Sequence, residues 1–260
     1  MPLTALRPRR DLAALLLVVA TTTSGCLNEN LIKQPELTIV PGAPPGWNGT
    51  GGTSGIGTTV SDRHGGTTSA YMSSAFQAGF LTNYLLAQAI RADSYRGKRV
   101  RLSAWVKPRN VANASFSGIW MRVDGPGVTL GHDNMARRVV SGYGNWRQVS
   151  VVLDVPPNAI GITFGAQFQA TNTLLVDDML FEVVGTEVVS TNTLTAPTPD
   201  GRDSATTVAA YERSAALPVN LDFEGVTLAG GEMTSWILLP TVTMSLARRV
   251  RSQRGPPTKG

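Results

Sequence analysis

The stretch RVRLSAWVK, residues 99–107, decides the fold class because its apolar and polar side chains alternate. A period of two places the apolar residues on one face of an extended chain and the others, Trp105 among them, on the opposite face. The same pattern recurs in SGIWMRVDG (117–125), WRQVSVVLDV (146–155), AIGITFGAQFQA (159–170) and LLVDDMLFEVV (174–184). These segments predict short β-strands.

Turn-forming segments separate the predicted strands. The chain has 27 glycines and 16 prolines, many of them in PGAPPG (41–46), DGPG (124–127), SGYGN (141–145) and VPPN (155–158). Residues 75–92 have a composition that also allows a helix, but we interpret their end as another strand. Many short strands joined by such turns predict an all-β protein, and we expect a β-sandwich over residues 28–188.

The composition excludes several classes of function. The 260 residues are 42% hydrophobic and 16% charged, which is typical of a globular protein. A single cysteine excludes a disulfide framework and a cysteine-rich zinc site. Two histidines, His64 and His132, are too few for a histidine-rich metal centre, and no partner for acid–base chemistry is evident beside either. We therefore predict that the protein is not an enzyme.

The net charge of +5 does not indicate a nucleic-acid partner, because of where the charges lie. Arginines and lysines are concentrated before residue 12 and after residue 247. Between those ends acidic residues outnumber basic ones. A nucleic-acid-binding domain would concentrate basic residues on a folded face, so we predict no nucleic-acid partner.

The first 25 residues have the pattern of an export signal. A basic segment precedes the apolar run LAALLLVVA (12–20), which is shorter than the roughly 20 residues that a membrane-spanning helix needs. TTTSGC then ends at Cys26, and this motif resembles the lipobox of bacterial lipoproteins, with Thr23 as a departure. The resemblance implies a lipid on Cys26 and an outer-membrane lipoprotein in the cell envelope. The alternative is an ordinary secretory signal and a secreted protein.

A series of motifs over residues 28–188 resembles the galactose-binding-like jelly-roll domains typified by carbohydrate-binding modules. In chain order the motifs are NLIKQPELTIV, PPGW, SDRHGGTTSAYM, YRGKRVRLSAWVK, GNWRQVSVVLDV and LLVDDMLFEVV. A second set, including IWMRVDGPG, HDNMARR and LDVPPNAIGITFG, resembles a bacterial domain found beside C-terminal-processing serine peptidases and erythromycin-esterase-like proteins. These resemblances imply a jelly-roll sandwich that binds carbohydrate.

Five side chains are candidates for ligand contacts. Trp105, Trp120 and Arg122 lie opposite the apolar side chains of their strands, so they could share one face if those strands share a sheet. Indole rings stack on the C–H patches of sugars, while arginine and the amides of Gln148 and Gln167 bond hydroxyl groups. The alternative is that a tryptophan belongs to the core or packs under the loop that carries Trp47.

The same resemblance implies a structural calcium ion, since related modules hold one with carboxylates near a Gly-Gly turn. Asp62 and either Asp177 or Asp178 match two parts of that pattern, whereas Thr38 stands where the family has a glutamate. Calcium accepts several oxygen ligands from flexible loops. The two adjacent aspartates could instead cap a strand end in solvent.

The end of the chain differs in composition from the predicted sandwich. Residues 189–216 are rich in Thr, Ser and Ala and predict a linker, with a possible short helix at 209–212. LPVNLDFEG (217–225) resembles the start of a second module, and a basic tail without strand alternation follows it. We interpret residues 217–260 as the truncated start of a second module and a poorly ordered tail. The alternative is a basic tail that contacts acidic surface polymers.

Together these observations predict an exported, non-catalytic module that binds a carbohydrate or another polar ligand at the cell surface. Its predicted association with the membrane is through the lipid anchor alone. The alternative is a structural or protein-interaction domain, the remnant of a larger multidomain enzyme.

Overall fold

A computed structural model describes residues 36–51, 55–74 and 81–224. Within these residues the protein has ten β-strands and one α-helix. In chain order they are β1 (Ile39–Pro41), β2 (Asn48–Thr50), β3 (Ile56–Thr59), β4 (Ser69–Ser74), β5 (Tyr84–Arg91), β6 (Lys98–Gly125), β7 (Val128–Asp133), β8 (Arg147–Val155), β9 (Gly161–Val184), β10 (Thr198–Pro199) and α1 (Ser204–Glu212).

Two long strands, β6 and β9, each contribute to both layers of a sandwich. Residues 98–106 of β6 pair with β8, and residues 99–109 pair with the second half of β9. Residues 116–125 pair instead with β7 and with the first half of β9. The register shifts between Arg109 and Phe116, where Asn110 and Asn113 have φ of 60° and 53°. Asparagine tolerates this left-handed conformation, which interrupts the regular strand.

The strand order is that of a jelly roll. One layer, called layer one, has the order β1-β3-β4-β9-β6-β8, and layer two has the order β2-β5-β9-β6-β7-β10. The pairs between named strands are antiparallel. Following the chain from β4, successive strands and half-strands alternate between the layers, except that the second half of β6 and β7 form a hairpin within layer two. The predicted jelly-roll β-sandwich is confirmed.

The core lies between the two layers and is built from the apolar faces that the sequence pattern predicts. Val100, Leu102, Ala104 and Val106 are fully buried on β6. Aromatic rings from the two halves of β9 meet across the core, with the ring centroids of Phe164 and Phe181 5.0 Å apart. The segment 75–92, which by composition could be a helix or a strand, ends in strand β5 at residues 84–91, as the strand interpretation predicts. Residues 75–80 lie outside the described residues.

Residues 189–216 pack on the sandwich, which differs from the expected linker. The main-chain N–H groups of Thr191 and Thr193 donate to carbonyl groups of β8 and β7 at 2.8 Å. Strand β10 then pairs with β7, and helix α1 follows, with Asp203 as its N-cap. Tyr211 of α1 is 1% exposed. This Thr- and Ser-rich segment therefore lies against the sandwich and bonds to strand edges. It does not form a free, solvated linker.

Residues 217–224 complete this same sandwich. Phe223 is 2% exposed in the core, and its ring centroid lies 5.2 Å from that of Trp47. The N–H of Met179 on β9 donates to the Leu221 carbonyl at 2.9 Å, and the N–H of Val219 donates to Oε1 of Gln88 on β5 at 3.1 Å. These contacts differ from the expected start of a second module. The remainder of that predicted module, residues 225–260, lies outside the described residues.

The predicted signal segment and Cys26 also lie outside the described residues, so export and lipidation stay predictions. In the part of the chain that the structure describes, no helix has the length and apolar character needed to cross a bilayer.

Candidate functional site

The structure separates the five predicted ligand contacts into two groups. Trp105 and Gln148 are cross-strand partners on the outer side of layer one. Trp120, Arg122 and Gln167 lie on the outer side of layer two. Trp105 and Trp120 belong to the same strand, but β6 passes from one layer to the other between them. The predicted single face that includes both tryptophans is therefore not formed.

An aromatic cluster of His64, Trp105 and Trp146 lies on the outer side of layer one. The imidazole of His64 stacks on the indole of Trp105, with ring centroids 3.9 Å apart and an interplanar angle of 12°. The ring of Trp146 meets His64 at 6.0 Å and 67°. Trp105 and Trp146 are partly exposed, and His64 and Gln148 beside them are exposed. The cluster combines accessible aromatic surface with hydrogen-bonding groups.

The loop between β3 and β4, residues 60–68, carries His64 across this face. Asp62 is buried, and its carboxylate lies 2.9 Å from Lys107 Nζ and 3.5 Å from Arg109 Nη1 on β6. Within the loop, the Arg63 guanidinium donates to the carbonyl groups of Val60 and Gly66 at 2.6 and 2.9 Å. Charged groups on β6 thus fix the first part of the loop against the sheet.

Two adjacent aspartates of β9 hold His64 in place. Nδ1 of His64 lies 2.6 Å from Oδ2 of Asp178, and the main-chain N–H of His64 donates to Oδ2 of Asp177 at 2.7 Å. The N–H of Gly65 donates to the same oxygen at 3.2 Å, and that of Asp178 donates to Oδ1 at 2.8 Å. Burial raises the pKa of Asp177 to about 6, against the opposing effect of these three N–H donors.

Glu224 fixes the last part of the loop. Its carboxylate accepts hydrogen bonds from the main-chain N–H groups of Thr67 and Thr68 at 2.7 and 3.1 Å and from the Thr67 hydroxyl. Gly66, at φ of 48°, leaves room for this approach, since a Cβ there would lie 2.0 Å from Glu224 Oε1. Desolvation alone would raise the pKa of Glu224. The hydrogen bonds lower the pKa by more than desolvation raises it, so the pKa lies below its ordinary value.

An open cleft of about 390 Å³ lies along this loop and is lined by residues 61–66. His64 belongs both to the cleft lining and to the aromatic cluster. Aromatic faces bind the C–H patches of a sugar, and neighbouring amide, carboxylate and main-chain groups bind its hydroxyls. The arrangement therefore suits a polar ligand with apolar patches.

Asp62 and Asp177 already have partners in the protein, and the calcium ion that the sequence resemblance implies stays a prediction. Lys107 and Arg109 already neutralise Asp62, and main-chain N–H groups occupy the oxygens of Asp177. A calcium ligand must offer free oxygen atoms. Among the described residues, no group of three or more Asp, Glu, His or Cys side chains is arranged to hold a metal.

The second group of predicted contacts is more buried. Trp120 is 5% exposed, and neither its Nε1 nor Nη2 of Arg122 has a hydrogen-bond partner among the residues that the structure describes. Nε2 of Gln167 donates to Oδ1 of Asn83 at 3.1 Å. An indole that is covered in this way offers no face for stacking, although Trp120 lies on the outer side of layer two and not in the core between the layers.

Beside Arg122, a buried polar network joins α1 to layer two. Asp124 is fully buried and lies 3.0 Å from Arg122 Nε and 3.3 Å from Arg202 Nη2. The Tyr211 hydroxyl contacts the same carboxylate and lies 2.7 Å from Oγ1 of Thr163. Paired and hydrogen-bonded charges of this kind hold elements together when every partner is present.

Sequence reasoning missed the roles of His64 and Trp146. Trp146 stands in the motif GNWRQVSVVLDV, which by itself predicts only a strand. His64 is indistinguishable in sequence from a solvated loop residue. The β3–β4 loop, folded over β6, brings the ring of His64 to both Trp105 and Trp146.

Comparison with known proteins gives one relative in sequence over part of the chain. No protein-family model matches. A segment of 130 residues is 38% identical to an uncharacterized HTH-type transcriptional regulator, YbfP, of Bacillus subtilis (strain 168). The matched segment is 50% of this chain and 43% of the regulator, so the chain spans less than half of that protein.

Solved structures show weaker similarity. The module TmCBM61, solved with β-1,4-galactotriose, is 14% identical with a TM-score of 0.37 and covers 55% of this chain and 92% of its own. The CBM22-1 xylan-binding domain of Paenibacillus barcinonensis Xyn10C is 16% identical with a TM-score of 0.36, over 58% and 97%. A Stig cyclase of Fischerella sp. TAU is 12% identical with a TM-score of 0.40, over 60% and 95%. Identities and TM-scores this low carry no argument about this chain, so the jelly roll is assigned from the strand order alone.

Proposed function

We propose that the protein is a non-catalytic module that binds a carbohydrate at the aromatic cluster on layer one. The observation that carries the proposal is the partly exposed pair of indoles, Trp105 and Trp146, beside an open polar cleft. Indole faces and neighbouring amides are the groups that bind sugar rings and their hydroxyls. Gln148 and the main chain of residues 61–63 would supply the polar contacts.

We further propose that the module acts outside the cytoplasm, in the cell envelope. The basic and apolar segments before Cys26 support export, and the TTTSGC motif supports a lipid anchor in the outer membrane. A secreted form without the lipid is the alternative.

The second candidate function is a structural or protein-interaction domain within a larger protein. The similarity to part of a regulator favours it, because that similarity suggests that related sequences occur joined to other domains. In that case the aromatic cluster would contact a protein rather than a glycan.

A glycan array followed by fluorescence titration tests the proposed function. Trp146→Ala is expected to weaken binding of the selected glycan at least about tenfold, since aromatic contacts dominate such sites. Gln148→Ala should weaken it about threefold through a lost hydrogen bond. Gln167→Ala, on layer two, provides the comparison and is expected to leave the affinity unchanged.

The outcome assigns the site to one layer or rejects it. If Gln167→Ala loses binding and Trp146→Ala binds as the unchanged protein does, the site lies on layer two. If the folded protein binds no glycan on the array, carbohydrate binding is rejected and the protein-interaction domain is favoured. Circular dichroism of each variant checks that the sandwich remains folded.

A further inference from the structure

We propose that His64 and Gly65 form a lid that occupies the sugar-stacking surface of Trp105 when no ligand is bound. The inference rests on the proposed function for its ligand, whereas the closed lid itself has a test that needs no ligand. Binding at Trp105 would then require His64 to move away.

The stacking geometry is the first support. His64 and Trp105 are nearly parallel, at 12°, with centroids 3.9 Å apart. A flat ring at this distance covers the indole face that a sugar ring would use. The protein's own side chain therefore competes for the surface that makes Trp105 useful as a ligand contact.

The distribution of anchors along the loop is the second support. Before the lid, Asp62 is fixed by Lys107; after it, Thr67 and Thr68 are fixed by Glu224. Both anchors are independent of the aromatic rings, so they can persist while the residues between them move.

The hydrogen bonds of the lid itself come from one place on β9. His64 and Gly65 are held by the carboxylates of Asp177 and Asp178. The side chains of His64 and Asp178 are 30% and 36% exposed, so water can replace their contact. Gly65 permits the closed position because a Cβ there would lie 2.6 Å from Asp178 Oδ2.

The first test measures the lid without ligand in the full chain. Acrylamide quenching of Trp105 emission is obtained as the difference between the protein and its Trp105→Phe variant. In His64→Ala the quenching constant of Trp105 is expected to rise about twofold, because the covering ring is gone. His132→Ala removes the other histidine, on layer two, and should change nothing. Equal quenching with and without His64 overturns the lid.

The second test uses the glycan selected on the array. His64→Ala should bind it about fivefold more tightly than the unchanged protein, and Asp178→Asn should change affinity in the same direction. Weaker binding by His64→Ala would overturn the lid and make His64 part of the binding surface. If neither the protein nor any variant binds a glycan, the proposed function fails, and the quenching result alone decides whether His64 covers Trp105.

Discussion

Asp177 is a fully buried carboxylate whose three hydrogen-bond donors are all main-chain N–H groups. No cation is among these donors, so burial dominates and its pKa rises to about 6. A carboxyl group whose pKa is higher in the folded than in the unfolded state binds protons more tightly when folded. Its protonation therefore stabilises the fold as the pH falls through 6.

The expected effect of this residue is a gain in stability in mild acid. Between pH 7.5 and pH 5 the free energy of unfolding should rise by about 1 kcal/mol from Asp177. Urea unfolding at several pH values measures it. Asp177→Asn should lack the rise, and identical pH profiles for the two proteins would contradict the assignment. The lowered pKa of Glu224 acts in the opposite direction mainly below this window, whereas burial lowers the pKa of His132 and opposes the rise within it, so the difference from Asp177→Asn isolates the Asp177 contribution.

At the scale of elements, the bend in β6 explains both a success and a failure of sequence reasoning. Alternation correctly identifies the residues that face the core within 99–107 and within 117–125, although the outward-facing Trp120 and Asp124 are buried as well. It does not show that the irregular residues between them carry the strand into the other layer. The side of a strand is a local property, whereas its layer depends on which strands pair with it.

The segment 217–224 crosses from β5 to β9 and closes one side of the sandwich. Phe223 is its deepest residue, so Phe223→Ala should lower the free energy of unfolding by about 3–5 kcal/mol. Leu217, in the same segment, is 58% exposed, and Leu217→Ala should change stability by less than about 0.5 kcal/mol. Chemical denaturation of both variants provides the comparison, and equal small effects would show that the segment does not belong to the core.

The buried hydroxyl group of Tyr211 is one of the contacts that attach helix α1 to layer two. Tyr211→Phe removes the donor to Asp124 and should cost about 1–3 kcal/mol, because it leaves a buried carboxylate with one fewer partner. Tyr71→Phe, on a partly exposed position of β4, serves as the control. A thermal shift no larger than that of the control would mean that Arg122 and Arg202 alone satisfy Asp124.

For the whole molecule, the domain continues past residue 188 and includes the described residues up to Glu224. A fragment that ends at 188 lacks Tyr211 and Phe223, two of the largest buried side chains. We expect it to melt at least about 10 °C below a fragment that ends at 224, or to unfold without a cooperative transition. Calorimetry of the two fragments decides this, and equal melting temperatures would restore the shorter domain.

The fold class could be predicted from sequence because alternation and turns are local signals. The domain boundary could not, since Thr- and Ser-rich segments have the same composition whether they bond water or a strand edge. The candidate site was predicted in part: Trp105 and Gln148 are neighbours across β6 and β8. His64 joins them through a loop contact that no spacing in the sequence encodes.

The contact between Trp47 and the segment that contains Phe223 has a consequence for synthesis. The Trp47 indole N–H donates to the carbonyl of Asn220, 173 residues later, at 2.8 Å. Such a distant contact cannot form on the ribosome until nearly all of the described chain has emerged. The nascent polypeptide therefore keeps one apolar flank of the sandwich open until the segment that contains Phe223 has left the ribosome.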